Sequence, residues 1–308
     1  LFIIVNQMKI ICCLKTAAFF MQYQGLFIGL TTIDIQYYVE SFPGSNRKVK
    51  TATPDILVGG PATNAAVAFA HLNGRAFLAS AAGRNSFSTF INNDFAETKT
   101  EHFDLVGSQN INPVIASVIT SKENGDRNIF THYPNFIYPD ISPEELFKQV
   151  EPQIILLDGF YPEFSLECAR IAKNKGIPVV LDCGSWKPQY TELLDFADFA
   201  ICSDDFHPPD CVNSFQVIDF LKSKKVGKIA ISRGGKSTLF FDGSNSAKIV
   251  IKEIKVTDTL GAGDFLHGAF CFYYLQLNDF KTALIKASEL ASFSCQFEGT
   301  RKWLNFTK

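Results

Sequence analysis

The sequence predicts an α/β protein with a doubly wound, mostly parallel sheet, helices on both faces and a small sheet standing off the main one. Three observations carry that expectation. Short runs rich in Ile, Val, Leu and Ala recur at residues 26–30, 76–80, 154–157, 178–182, 199–202 and 228–232. Continuous apolar runs of this length are what strands buried on both faces require. Helix-length segments separate them, as βαβ units demand. Finally, 46% of the 308 residues are apolar and 19% charged, enough for one large core with an accessory element.

The elements follow in order. Residues 1–20 hold an apolar stretch broken by Lys15, too short to span a bilayer, and Met21 stands just before the first strand. They are expected to be a dispensable or non-native extension, leaving a single domain over 21–308. Helices are expected over 62–72, 163–175 and 280–296. The last has Ala283, Leu284, Ala287, Leu290 and Ala291 on one stripe and Gly299 beyond its end. Two segments break the rhythm, about 34–58 and 107–135. In the second, residues 114–120 and 128–132 read as antiparallel strands around a turn at 123–126, so the two segments are expected to form a small sheet standing off the main one.

Composition excludes several functions. Lys and Arg number 29 against 31 Asp and Glu, a net charge of −2 with no long basic run, which argues against a nucleic-acid partner. No membrane partner is expected either. The eight cysteines form no Cys-x-x-Cys pair and lie mostly in apolar runs, which fits a reducing, cytoplasmic setting. Five histidines show no metal-binding spacing, so no structural zinc is expected. The 30 phenylalanines read as core filler.

The chemistry concentrates in two glycine clusters. In residues 256–264, Gly261, Ala262 and Gly263 stand where a turn enters an apolar helix. Free N–H groups, the positive end of the helix dipole and the lack of bulky side chains make this an anion hole. Asp264 follows directly; it is either a favourable charge at a helix N-terminus or a group that serves the reaction. The second cluster, Gly59-Gly60-Pro61-Ala62-Thr63-Asn64, also leads into an Ala-rich helix, and Asn64 can donate and accept hydrogen bonds as a polyhydroxylated ligand requires. Asp34 reads as ending the first strand, in a turn or at the carboxyl edge where open α/β sheets bind ligands. Two nucleotide motifs fail. Residues 232–237 lack the first P-loop glycine, Ala230 standing in its place, and run on into a strand pattern. A dinucleotide fingerprint starting at Gly261 has Leu266 at its third glycine position.

Taken in order, these stretches resemble the ribokinase-like (PfkB) family of carbohydrate kinases, over roughly residues 25–303. Asp258-Thr-Leu-Gly-Ala-Gly-Asp264 with Gly268-Ala269 matches the family's C-terminal signature, and residues 59–64 are similar to its N-terminal one. The resemblance implies ATP-dependent phosphorylation of a primary hydroxyl on a small sugar or sugar-like molecule, with Mg2+. It implies Asp264 as catalytic base and substrate contact, Gly261, Ala262 and Gly263 as anion hole, and Asp34, Gly60 and Asn64 as sugar ligands. Ser203, Ser232, Gly234, Gly235 and Gly263 fall near the nucleotide. Where many members have Asn-x-x-Glu, this chain has Ser203-Asp-Asp-Phe206, so Asp204 or Asp205 is expected to take over the magnesium role. Asp258 is expected either to support a monovalent cation, K+, or to cap its loop. Thr32 replaces a sugar-contacting Asn, which disfavours ribose itself. A homodimer through the lid is a further family expectation. The alternatives are a nucleoside (adenosine-like) kinase, or a catalytically silent sugar- or nucleotide-binding regulator.

Overall fold

The computed structural model describes residues 22–123, 126–133 and 137–306. The expected extension over 1–20 and the centre of the 123–126 turn lie outside the described residues. Strand β1 (Gln24–Ile28) is followed by β2 (Thr32–Val39) and β3 (Asp55–Gly59), then α1 (Pro61–His71), β4 (Arg75–Ser80), α2 (Ser88–Thr98) and β5 (Thr100–Asp104). Next come β6 (Val114–Ser121), β7 (Arg127–Thr131), α3 (Pro143–Gln149), β8 (Ile154–Leu157), α4 (Pro162–Asn174), β9 (Val179–Cys183) and the short α5 (Tyr190–Leu193). The chain continues through β10 (Phe199–Ser203), α6 (Ser214–Ser223), β11 (Lys228–Arg233), β12 (Lys236–Phe241), β13 (Ser246–Ile249), α7 (Ala262–Leu277) and α8 (Phe280–Ser294).

Nine strands form the main sheet in the order β13-β12-β11-β10-β9-β8-β1-β4-β5. It is parallel except at the β11–β12 and β12–β13 pairs. The antiparallel β12 occupies the place where a P-loop would have its helix, which is why residues 232–237 cannot work as one. Alternate residues serve opposite faces, as strand geometry dictates. Leu26 and Ile28 pack against α4 and its neighbours, while Phe27 packs against α1 and α7. Much of the phenylalanine excess goes into this second layer, where Phe199, Phe270 and Phe280 meet ring to ring. Burying each such ring stabilises the fold by roughly 1.5–3 kcal/mol.

A separate sheet, β3-β2-β6-β7, forms the lid. It corrects one reading: β1 ends at Ile28, so Asp34 does not end the first strand but is the third residue of lid strand β2, paired with Leu57 and Ala116.

Helices α1 and α7 cross at Gly268, where a Cβ would come within 1.9 Å of the Ala65 carbonyl oxygen. Only glycine permits that approach, and it brings the first turns of the two helices together. Among the described residues no helix is long and apolar enough to cross a membrane.

Candidate active site

The two helix N-termini build the site. Gly261 enters α7 with φ at +75°, and its carbonyl accepts the Phe265 N–H at 2.9 Å. The Ala262 N–H already bonds Thr259 O at 3.3 Å. The donors of Gly263 and Asp264 come next, in the turn that a helix leaves without internal acceptors. A Cβ on Gly263 would meet nothing within 4 Å, so an anion has open access there. At the head of α1, Gly60 has φ at +104° and lies so close to Leu30 O that a Cβ would sit 2.3 Å from it. Gly59 makes room for the Asp34 carboxylate: a Cβ there would lie 2.0 Å from Asp34 Oδ2.

Asn64, on the first turn of α1, donates from Nδ2 to Asp264 Oδ2 at 2.8 Å. Burial pushes the Asp264 carboxyl up to about 7, the Asp182 carboxylate adds to the shift, and the Asn64 bond and His267 oppose it. Asp34 takes the Thr32 hydroxyl on Oδ1 at 2.7 Å; its carboxyl is raised by burial, against the Thr32 bond and the positive charge of Arg301. Its charge also raises Asp264, so the two carboxylates sense one another across the site. The structure thus brings Asp34, Gly60, Asn64, Gly261, Gly263 and Asp264 together.

Apart from Gly263, the residues expected near the nucleotide lie on β10, on β11 and in the turn that follows β11. Ser203 ends β10 in register with Ser232 of β11. Ser203 donates to Gly184 O, and Ser232 to Cys202 O at 3.2 Å. Gly234, with φ at +58°, and Gly235 form the tight turn into β12, with open space where side chains would be. Asp204 and Asp205 are exposed; Asp204 accepts the Ser214 hydroxyl at 3.1 Å. Asp258 is buried and accepts four bonds: from Gln36 Nε2 at 2.9 Å, the Tyr38 hydroxyl at 3.0 Å, and the N–H groups of Leu260 and Gly299, each at 2.9 Å. These contacts describe a loop cap that also ties β2 to the segment leading into α7.

Four residues near the site went unread in the sequence. Asp158, following β8, accepts the N–H groups of Leu30 at 2.8 Å, Phe160 at 3.0 Å and Ala62 at 3.3 Å, with its carboxyl pushed up to about 6 by burial. Asp182 in β9 lies 3.5 Å from His267 Nε2, while the His267 ring nitrogens also meet Gly263 O at 2.7 Å and Ile201 O at 3.0 Å. The rule that singled out Asp34, an Asp at the carboxyl end of a parallel strand, would have found both carboxylates. Arg301, the fourth, has no local signal. A cavity of about 600 Å³ is walled by Leu30, Tyr133, Phe160 and Tyr161.

Known proteins share this architecture. A ribokinase of Lactococcus lactis is 26% identical over 247 residues, covering 80% of this chain and 81% of its own. A nucleoside kinase of Methanocaldococcus jannaschii is 24% identical over 279 residues, covering 88% and 90%. The structure of Arabidopsis thaliana ribokinase complexed with ribose and ATP superposes with a TM-score of 0.71 at 20% identity, over 93% of this chain and all of that one. With helix N-termini meeting at a glycine crossing, a carboxylate at the anion turn and a separate lid sheet, the profile of the pfkB family carbohydrate kinases matches residues 25–305, and the chain belongs to that family of ATP-dependent kinases.

Proposed function

We propose that this kinase phosphorylates a primary hydroxyl of a small sugar or sugar-like acceptor, with Asp264 as general base. The carrying observation is the 2.8 Å bond from Asn64 to Asp264 at the mouth of the Gly261–Gly263 turn, which aims a carboxylate at the place where a phosphate would be held. The acceptor oxygen bonds to the γ-phosphorus as the bond to the β–γ bridging oxygen breaks, and the hydroxyl proton passes to Asp264. Asp34, Gly60 and Asn64 orient the acceptor; Ser203, Ser232, Gly234 and Gly235 flank the nucleotide. Positioning and charge stabilisation supply most of the rate in such a transfer.

Mg2+, when bound, neutralises charge on the phosphates. Exposed Asp204 and Asp205 are hard oxygen donors of the kind that hold it through one or two carboxylates beside water and phosphate. For Asp258 we favour the loop-capping and lid-tethering role, because four donors already occupy its carboxylate. A homodimer through the lid is supported by Ile56, Ile115 and Phe130, which are exposed on the face opposite Asp34; sedimentation would test it.

The aromatic walls of the cavity beside Leu30 favour a second reading, an acceptor that carries a planar group, as a nucleoside does. ADP release across D-ribose, 2-deoxy-D-ribose, D-fructose and adenosine, with thermal stabilisation measured in parallel, separates these readings. Binding without turnover throughout would replace the kinase reading with a silent regulator.

A further inference from the structure

Arg301 lies outside every motif, yet all five of its N–H donors are engaged. Nε and Nη2 grip the Asp94 carboxylate at 3.0 and 3.1 Å; Nη2 also reaches Val58 O at 2.8 Å, and Nη1 reaches Thr300 O at 3.2 Å. The remaining donor, from Nη1, goes to Asn64 Oδ1 at 2.9 Å. The guanidinium therefore joins α2, the end of β3, the C-terminal segment and α1 at one point. Its side chain and that of Asp94 are each only 15% exposed, so the pair is shielded from solvent.

From this geometry we infer that Arg301 is a positioning residue, which fixes the amide of Asn64 so that its NH2 faces Asp264. An amide has one acceptor end and one donor end, and its neighbours choose between two orientations. With Oδ1 on the guanidinium, Nδ2 donates to the Asp264 carboxylate. Flipped, the NH2 would face the Nη1 donor of Arg301 and the oxygen would face an anion. Without Arg301 that choice is weakened, and the Asn64 carbonyl can accept a proton from neutral Asp264 instead. The acid form gains a partner while the carboxylate loses one, which works against a base. Lysine cannot substitute, since one ammonium does not span Asp94, Val58 and Asn64. Asp182 from β9, His267 from α7 and Asp34 from β2 also act on Asp264, and replacing Arg301 leaves all three in place.

The inference rests on the proposed role of Asp264, but its test does not need the acceptor. In full-length chain labelled with carboxyl 13C-Asp, the Asp264 signal is identified by its loss in Asp264→Asn and followed through its titration. Arg301→Gln should move the midpoint upward by roughly half a unit or more, the worth of one hydrogen bond. In an Asn64→Ala background the same replacement should move it little. An unmoved midpoint, or equal shifts in both backgrounds, would overturn the inference. If Arg301→Gln does not fold, Asp94→Asn, which loosens the grip on the guanidinium, should give a smaller upward shift with the same dependence on Asn64. In ADP release with the best acceptor of the panel, the double variant should be no slower than Asn64→Ala alone. Undiminished turnover in Asp264→Asn would remove the base assignment while leaving the NMR coupling intact, so the two failures are distinguishable.

Discussion

The proposed acceptor and nucleotide ends of the site are built differently. At the acceptor end, Asn64 is 3% exposed and Asp34 6%, and hydrogen bonds run unbroken from Asp94 through Arg301 and Asn64 to Asp264. At the other end, Asp204 and Asp205 are exposed and the Gly234-Gly235 turn faces open space. One end is organised by the protein before any ligand arrives. The other presents exposed carboxylates and an open turn. Single substitutions should therefore be costly at the acceptor end and mild at the nucleotide end.

The largest effect is expected at Asp264. Asp264→Asn keeps the shape and loses the basicity, so kcat should fall by roughly 10²–10⁴ with ATP binding retained. Near wild-type turnover in a folded variant would break the contrast. Because the carboxyl is pushed up to about 7, wild-type kcat/KM for the acceptor should rise as pH increases through that value. Stability should run the other way. Between the ordinary carboxyl range and about 7 the folded chain keeps a proton that the unfolded chain has lost, so stability falls as pH rises. Asp264→Asn should consequently raise Tm more above that window than below it.

Asp34→Ala comes next. Losing a hydrogen bond that a charged carboxylate accepts costs ~1.5–3 kcal/mol, about 10- to 150-fold in kcat/KM for the acceptor, with ATP affinity nearly unchanged. A collapse of ATP affinity instead would reverse the two ends. The smallest effects are expected for Asp204→Asn and Asp205→Asn, each about fivefold or less in kcat with a higher magnesium requirement, because exposed charges contribute little singly. A loss as large as that at Asp264 would erase the difference between the ends.

Residues whose role is local were legible in the sequence. Gly261 and Gly60 take backbone conformations suited to glycine, and each opens a helix whose apolar pattern follows at once. The alternating strands and helices were readable for the same reason. Asp34 was placed one strand too early because the apolar run 26–30 continues past the point where β1 stops pairing. Arg301 was invisible: it reaches Asn64 across 237 residues from a short C-terminal segment, and only the fold brings the two together. Gly268 stands between these cases. Its place in the signature was plain, while its reason, the approach to Ala65, belongs to the packing of two helices.

The bonds converging on Asp258 have a mechanical consequence. They clamp β2 at Gln36 and Tyr38, whereas β7, at the rim of the same sheet, is joined to β2 only through β6. A plate pinned along one line is expected to move most at the edge farthest from the pin. Two strand spacings, ~10 Å, separate β7 from the pinned strand. Asp34, two residues from Gln36 on that strand, is then expected to move least and the β7 edge most. On the proposed reading, the first handhold for the acceptor belongs to the steadier part of the sheet, and enclosure falls to the rim. Amide hydrogen exchange should be slower in residues 32–39 than in 127–131; equal rates would mean that the sheet moves as a whole.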